Sequence, residues 1–558
     1  MKKLIALLLL GTTFWLSAEA QVSDFLQRSQ VHGSFQVDGQ FYRPDEALGI
    51  TDSLINGRKI GLNGFGNIIY SLGKFSAGIR YEAYLTPIAG FDPLLDGSGF
   101  PNMWASYNDD RFSITVGSFY EQFGNGLVLR TYEEWSLGYD NSINGIRVTY
   151  EPVKGVIFKG VYGTQRFFWD KYEKNDRGIV RGLDGEFNFN DMFSSFENSK
   201  IRLILGGSMV SKYQIDANPI YNLPENVASF AGRAIIGFGK FNISTEYAYK
   251  INDPSAVNNY IYKEGQAFIA SASYSTKGLG LFAQFKRIDN FSFKSDRDVT
   301  VNALDISYLP AITEAHTYAL TSMYPYATQP NGEIGFQLQL NYKVPKKSRL
   351  GGKYGMGIAV NYAQVNDIDH QQVNDTTFVN QRGTLGYKSD FFKFSDHVFY
   401  SDLNIEIDKK FNRKWKGIFQ YIYQTYDIAT IEGHPGEPIV KSHIFVADIT
   451  HKFTTKQSLR GELQGLWTKE DMGNWTAILL EYTVSPHWFV SLTDQWNYGN
   501  PIVEDQIHYF SASFGYTRKA TRVQFTYGRQ REGIVCVGGV CRQVPASSGL
   551  SFTITTNF

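Results

Sequence analysis

The chain has 558 residues with 54 basic and 54 acidic side chains, so its formal net charge at pH 7 is zero. This balance gives no basis for a nucleic-acid partner, which a strongly basic chain would suggest. Aromatic residues make up 15% of the chain, which also has 53 Gly and only 17 Pro; this composition is typical of all-β proteins.

The first twenty residues, MKKLIALLLLGTTFWLSAEA, have the pattern of a secretory signal peptide. Lys2 and Lys3 precede an apolar run, and Ala18 and Ala20 form a small-x-small cleavage site before Gln21. A membrane anchor would need a longer apolar span, of about 20 residues, and no cleavage site. We therefore expect export with removal of this segment.

Beyond the signal peptide, strand-like segments follow one another at intervals of about twenty residues, as expected when strands of about ten residues alternate with turns. Many alternate in polarity: Leu338 and Leu340 lie on one face of a strand, and Gln337 and Gln339 lie on the other. The polar face recurs in many strands without a helix layer. This pattern indicates a wet lumen with lipid outside.

The connections between these strands alternate in length. Short turns are predicted at residues 71–75, 107–112, 151–155, 238–242, 275–280, 408–415, 451–458, 484–488 and 517–522. Longer connections are predicted at residues 44–57, 89–101, 121–142, 213–226, 294–331, 366–394, 429–438 and 531–548. Residues 190–199 and Met472-Gly473 break the alternation. The pattern predicts a transmembrane, antiparallel up-and-down β-barrel of about 24 strands, in a range of about 22 to 26, with periplasmic turns and extracellular loops.

Two long connections, residues 121–142 and 302–331, are rich in apolar side chains. They include Phe123, Leu127 and Trp135 in the first and Tyr318, Tyr324 and Tyr326 in the second. Because apolar residues favour burial, we expect these loops to fold into the lumen or cap it. The alternative is an exposed docking patch for another protein.

About 24 strands enclose an interior too wide to be left open in a permeability barrier. Only a short stub separates Gln21 from the first strand, so we expect no N-terminal plug domain. The long loops or a partner protein must then occlude the pore.

Cys536 and Cys541 are the only cysteines of the chain. Gly538 and Gly539 can bend the chain between them, so an intraloop disulfide is feasible in an oxidising compartment. Free thiols are the alternative. Without a nearby His or a second Cys pair, the two residues make a poor zinc site.

The chain ends in the strand-like segment GLSFTITTNF, in which Phe552, Ile554 and Phe558 share one apolar face. A barrel must pair its last strand with its first so that no edge remains. The terminal aromatic residue resembles the C-terminal assembly signal of outer-membrane barrels, which the barrel-insertion machinery recognises. An ordinary closing strand of a soluble protein is the alternative.

Three stretches carry a family resemblance: YEQFGNGLVLRTYEEWSLGYDNSINGIRV (120–148), SYLPAITEAHTYALTSMYPYATQPNGEIGFQ (307–337) and GGVCRQVPASSGLSFTITTNF (538–558). With the size and the succession of strands, they resemble a Bacteroidota-type family of large outer-membrane β-barrels whose function is undetermined. The resemblance covers essentially the whole mature chain. It implies location and fold, and it assigns no catalytic residue.

Enzyme motifs are missing from the sequence. GGSMV at residues 206–210 is not a nucleophile elbow, and neither H-E-x-x-H nor a phosphate-binding loop occurs. We therefore assign no catalytic residue, cofactor or metal ligand. An outer-membrane hydrolase is the weakest functional hypothesis.

The sequence favours one outer-membrane β-barrel domain over residues 21–558 of a Gram-negative protein. Its expected partners are outer-membrane lipid, the barrel-insertion machinery and another outer-membrane protein. The first functional hypothesis is a channel for small polar solutes whose lumen is narrowed by inward loops. The second is a non-transporting barrel that is a scaffold or accessory subunit of a secretion or assembly complex.

Overall fold

A computed structural model describes residues 29–51, 59–169, 178–197, 199–300, 303–537 and 540–558. The predicted signal peptide, with Ala18, Ala20 and Gln21, lies outside the described residues. Among the described residues, no helix has both the length and the apolar composition needed to cross a bilayer.

A single sheet of 24 strands dominates the structure, so the predicted strand number is confirmed. In chain order the strands are β1 (Ser29–Tyr42), β2 (Ile60–Leu72), β3 (Phe75–Leu85), β4 (Gly97–Asn108), β5 (Phe112–Phe119), β6 (Ile143–Val153), β7 (Val156–Gln165), β8 (Ile179–Asn188), β9 (Ile201–Tyr213), β10 (Asn226–Phe238), β11 (Phe241–Lys250), β12 (Gly265–Thr276), β13 (Leu279–Asp289), β14 (Gly332–Val344), β15 (Met356–Ile368), β16 (Phe394–Lys410), β17 (Trp415–Asp427), β18 (Ile439–Lys452), β19 (Gln457–Trp467), β20 (Trp475–Val484), β21 (Trp488–Trp496), β22 (His508–Arg518), β23 (Thr521–Gln530) and β24 (Ser547–Asn557).

The remaining elements are short and lie in the connections. The helices are single turns at Glu46–Leu48, Pro93–Leu95, Trp135–Leu137, Phe189–Met192, Ser194–Glu197, Ile428–Ile431 and Val503–Asp505. Two small hairpins pair Glu133–Glu134 with Tyr139–Asp140 and Gly533–Val537 with Val540–Val544. The chain is therefore almost entirely β.

The sheet closes on itself. Each strand pairs antiparallel with its neighbours in sequence, and β1 pairs antiparallel with β24, with Val37 opposite Ile554. Closure leaves no unpaired sheet edge, which a bilayer would not tolerate. The structure is thus a closed antiparallel β-barrel, as predicted.

Aromatic residues of the last strand cover glycines of the first. An added Cβ at Gly39 would lie 2.2 Å from the Phe552 ring, and one at Gly33 would lie 2.2 Å from the Phe558 ring. The backbones of Gly33 and Phe558 exchange two hydrogen bonds of 2.9 Å. The glycines therefore make room for the aromatic rings at the seam of the barrel.

The two ends of the barrel differ in their connections. At one end, the turn end, Gly73 and Lys74 alone link β2 to β3, and Lys277 and Gly278 alone link β12 to β13. Gly73 (φ 58°) and Gly278 (φ 82°) adopt the left-handed conformation that suits such tight reversals. At the other end, the loop end, the connections are mostly long, as predicted.

Alternate side chains face opposite sides of the barrel wall. On the outer face, large apolar side chains are exposed on strands far apart in the sheet: Leu183 is 67% exposed and Leu492 is 55% exposed. On β11, Ile243 lies on this face, whereas Glu246 and Lys250 face the lumen and are fully buried. So much exposed apolar surface is typical of a wall solvated by lipid.

Near the loop end, several lumen-facing side chains are apolar rather than polar, which the strand alternation did not predict. Val161, Val180, Val210, Ile288 and Ile444 are all buried inside the barrel. They are buried because long connections fold inward and pack against them.

Candidate functional site

Three connections from the loop end lie within the lumen. The first inward segment is residues 120–142, the second is residues 303–331, and the third is residues 531–537 and 540–546, which form the hairpin described above and its flanks. Their side chains pack against lumen-facing residues of the wall and line cavities inside the barrel.

The first inward segment is held by an apolar cluster. Phe123, Leu127 and Leu129 have no exposed surface, and they pack in one cluster with Val161 and Ile288 of the wall. Each side chain of this size contributes about 1.5–3 kcal/mol when it is withdrawn from water. The segment is thus part of the folded core rather than a solvent loop.

Polar contacts join the first segment to the wall and to the second segment. The backbone N–H of Asn125 donates to Oε2 of the buried Glu246 at 2.7 Å. The backbone N–H of Arg130 donates to the carbonyl of Ile306 at 2.9 Å, and the Asn141 side-chain amide donates to the carbonyl of Asp305 at 2.8 Å. The two segments therefore form one packed body inside the barrel.

The second inward segment packs against the opposite wall. The Leu320 backbone N–H donates to Gln464 Oε1 at 2.8 Å, and the Tyr326 hydroxyl donates to Glu333 Oε2 at 2.5 Å. The Tyr324 ring packs on Tyr426 with their centroids 5.3 Å apart. Burial, and then the Glu333 carboxylate, raise the pKa of Tyr326 well above its usual value, so its hydroxyl remains a donor.

A cluster of opposite charges fixes the first segment to the strands beside it. Arg166 donates to Glu82 Oε2 at 2.7 Å and to Asp140 Oδ2 at 2.7 Å. Arg80 pairs with Glu82 at 2.7 Å and also contacts Glu133 and Asp140. Burial acts to raise the pKa of Asp140, but Arg166 and Arg80 outweigh it and hold the pKa below its usual value. Asp140 therefore remains a charged anchor of the segment.

A second buried ion pair supports the second segment. Lys286 of β13 pairs with Glu333 of β14, and neither side chain has any exposed surface. Lys286 Nζ also donates to the carbonyl of Pro310 at 2.6 Å and to Thr328 Oγ1 at 3.2 Å. The Lys286 cation on the wall thus contacts residues near both ends of the second inward segment.

The third inward segment is a hairpin closed by a disulfide between Cys536 and Cys541. Arg542 of this hairpin lies over the Phe91 ring, with its guanidinium carbon 4.0 Å from the ring centroid. Its Nη1 donates to the carbonyl of Ala89 at 3.4 Å. The segment therefore contacts the connection between β3 and β4.

A neutral cavity of about 360 Å³ lies between the wall and the inward segments. The wall on this side, formed by β1 and β21–β24, contributes Gln40, Ser511, Thr526 and Ser551. These side chains offer hydroxyl and amide groups without charge. We refer to this space as the neutral cavity after these uncharged groups of its wall; Arg529, Arg531 and Glu532 also line it.

An aromatic cavity of about 370 Å³ lies on the other side of the second segment. Tyr308, Glu314, Tyr326 and Tyr400 contribute to its lining, as does His316, whose Nε2 lies 2.6 Å from Asp402 Oδ2. Ser322, Ile534 and Val535 line both cavities. The second and third segments thus form the partition between the two spaces.

The structure distributes the sequence-predicted lumen residues over four places. Phe123 and Leu127 lie in the first cluster, while Tyr324 and Tyr326 lie in a second cluster on the opposite wall. Two candidates lie apart from those clusters. Trp135 stacks on Phe65 with their centroids 4.6 Å apart, and the Tyr318 hydroxyl donates to Asp448 at 3.2 Å.

The residues that line the neutral cavity were not singled out from the sequence. Gln40, Ser511, Thr526 and Ser551 carry only the signal of the polar strand face, which they share with many other positions. Arg531, which also lines this cavity, follows a strand and belongs to no motif. Their grouping depends on strand register and on the path of the inward segments.

A closed 24-strand barrel with an apolar exterior and a lumen filled by its own loops is a large outer-membrane-type β-barrel. The chain belongs to DUF6029, a family of unknown function whose model matches residues 1–558. No curated protein matches the chain.

The chain is similar to several solved outer-membrane proteins at low identity and low TM-score. The P pilus usher translocation pore (PapC) matches at 8% identity with a TM-score of 0.43, over 94% of this chain and 99% of that chain. The siderophore receptor PirA from Pseudomonas aeruginosa matches at 10% identity with a TM-score of 0.41, over 95% of this chain and 80% of that chain. The outer-membrane transporter YddB from Escherichia coli matches at 8% identity with a TM-score of 0.37, over 95% of this chain and 81% of that chain. Identities and TM-scores this low do not indicate a shared activity.

Proposed function

We propose that this protein is an integral outer-membrane pore that passes small polar solutes through a lumen narrowed by its inward loops. The observation that carries the proposal is the neutral cavity of about 360 Å³ between the inward segments and the wall of β1 and β21–β24. No catalytic residue and no cofactor enter this function.

The chemistry of the neutral cavity supports the passage of polar solutes. Gln40, Ser511, Thr526 and Ser551 present neutral donors and acceptors, which can replace the hydration of a solute without holding it strongly. Gly528 and Gly549 also line this space, and because they have no side chains they leave the cavity open at these positions. The packed segments opposite restrict the passage to small molecules.

The location in the outer membrane of a Gram-negative cell is part of the same proposal. The apolar outer face supports it, as does the sequence pattern of a signal peptide cleaved before Gln21, which would leave residues 21–558 as one barrel domain. The disulfide between Cys536 and Cys541 fits an oxidising compartment. An origin in Bacteroidota stays a prediction.

Assembly through the barrel-insertion machinery is also proposed, with Phe552, Ile554 and Phe558 as the signal on the last strand. Phe552 and Ile554 lie on the outer face of β24, which pairs with β1, and Phe558 follows this strand directly and is 68% exposed. An aromatic terminal residue on the lipid-facing side is thus available at the seam when the barrel closes.

The test is conductance of the purified protein in planar bilayers, with a cysteine placed in the neutral cavity. We expect stable channels, and we expect those of Ser551→Cys to be blocked by a charged methanethiosulfonate reagent because Ser551 lines the cavity. Ser548→Cys, on the opposite face of the same strand, is the matched control and should not be blocked. The native cysteines are in a disulfide and will not react.

A protein that inserts but neither conducts nor passes solutes in proteoliposomes would contradict the pore. The second candidate function, a scaffold or accessory subunit, is favoured by exposed apolar side chains at the loop end. Phe378 and Phe392 are each 73% exposed and Leu385 is 59% exposed, all in the connection between β15 and β16. A silent barrel that co-purifies with a defined outer-membrane partner would support that function instead.

A further inference from the structure

Arg531 follows directly after β23 and lines the neutral cavity. Its Nε donates to Gln495 Oε1 at 3.3 Å, and its Nη1 donates to the backbone carbonyl of Glu532 at 3.1 Å. Both acceptors are neutral. They hold the guanidinium in place without cancelling its charge.

The cation has no ion-pair partner in the part of the chain that the structure describes, since no carboxylate oxygen there lies within 4.0 Å of it. Other arginines of the barrel differ: Arg166 is paired with Glu82 and Asp140. Arg529, two residues before Arg531, donates to both carboxylate oxygens of Asp45 at 2.6 and 2.8 Å. Arg531 thus combines a place on the passage with an unneutralised charge.

Two carboxylates lie at longer range. Burial acts to lower the pKa of Arg531 and outweighs Tyr324, Tyr509, Asp471 and Glu532, which act to raise it. Asp471 Oδ2 already accepts the Tyr324 hydroxyl at 2.8 Å. Glu532 lines the same cavity, but its side chain is exposed to solvent, which screens its charge. A guanidinium remains protonated in proteins, so Arg531 stays cationic.

Gly533 leaves the space that the guanidinium occupies. An added Cβ at Gly533 would lie 2.8 Å from Arg531 Nη1, closer than a Cβ contact normally allows. The glycine therefore forms one wall of a cradle for the guanidinium at the edge of the cavity.

We propose that Arg531 binds the carboxylate or other oxyanion of a small permeating solute, and that it gives the passage a preference for anions. The planar guanidinium favours oxyanions because it can donate two parallel hydrogen bonds to them. The neutral lining then contacts the rest of the solute. This inference rests on the proposed pore function and specifies its substrate class.

The test is the reversal potential of the reconstituted channel in a KCl gradient, which measures the ratio of chloride to potassium permeability. We expect the wild-type protein to prefer chloride and Arg531→Gln to lower the ratio about fivefold, the factor for one unit charge at about 4 Å in water. Arg531→Lys should keep most of the preference. Arg522→Gln is the control, because it removes the same charge from the lumen face of β23 near the turn end. We expect it to change the permeability ratio little.

Solute flux gives an independent measurement. In proteoliposomes, Arg531→Gln should slow succinate uptake about fivefold and leave glucose uptake unchanged, since only succinate carries carboxylates. Gly533→Ala keeps the charge but displaces the guanidinium, so it should slow succinate uptake to a smaller degree.

The outcomes separate this inference from the pore function. A protein without conductance or flux contradicts the proposed function first. If the wild-type channel conducts but prefers potassium, the proposed role of Arg531 is wrong while the pore function stands. This conclusion does not depend on whether Arg531→Gln inserts. The same conclusion follows if Arg531→Gln and Arg522→Gln change the permeability ratio equally, or if succinate and glucose uptake fall together.

Discussion

Many charged side chains inside the barrel are held in ion pairs, and several of these pairs join the inward segments to the wall. Lys286 and Glu333 have no exposed surface, and both also contact the second inward segment. Alternation in the sequence predicted a polar lumen face, and Glu246 and Lys250 lie on that face. It could not predict their partners, because these depend on strand register and on loops far away in the chain.

At this scale the ion pair of Lys286 and Glu333 can be tested. Glu333→Gln leaves the Lys286 cation buried without an anion, so we expect the free energy of unfolding to fall by about 3–5 kcal/mol. The double variant Lys286→Met with Glu333→Met removes both charges, so its free energy of unfolding should fall by less than that of the single variant. Reversible urea unfolding of the barrel in phospholipid vesicles measures both values.

The control for this pair lies outside the lumen. Lys74 and Asp109 form an exposed ion pair at the turn end, and such pairs contribute little in water. Asp109→Asn should therefore leave the free energy of unfolding nearly unchanged. A stability loss for Glu333→Gln no larger than that for Asp109→Asn would contradict the structural role of the buried pair.

The elements of the fold were predictable from the sequence to different degrees. Two-residue alternation identifies strands and their faces, as in β14, because lipid and lumen impose opposite polarity on adjacent side chains. The apolar content of residues 121–142 and 302–331 led to the expectation that they fold inward. The inward position of the third segment had no such signal in the sequence, because its contacts with the other inward segments depend on tertiary structure.

The second inward segment can be removed to test what it does. Replacing residues 311–327 with a short Gly-Ser linker should raise single-channel conductance at least about twofold, because a barrel of this strand number encloses a wide lumen when nothing fills it. The barrel should still insert, since its wall pairing does not use these residues.

Residues 373–379 supply the matched control for this replacement. They also belong to a long loop-end connection, but they are mostly exposed and include Phe378, which is 73% exposed. The same Gly-Ser replacement there should leave conductance unchanged. Equal conductance after both replacements would mean that the second inward segment does not narrow the pore.

At the scale of the whole molecule, the barrel and its contents depend on each other. The apolar wall positions near the loop end, such as Val210 and Ile444, are covered by the inward segments. The inward segments in turn pack their apolar side chains against the wall. Around both, an outer face of exposed apolar side chains requires lipid as its solvent.

The most direct test of this account measures which solvent each side chain of one strand meets. Nitroxide labels placed singly along β14 of the membrane-inserted protein can be probed with oxygen, which concentrates in lipid, and with a water-soluble nickel reagent. We predict that labels at 338, 340 and 342 meet oxygen, and that labels at 339 and 341 do not but meet the nickel reagent. Accessibility without this alternation, or with the two faces exchanged, would contradict a lipid-facing exterior and with it the pore.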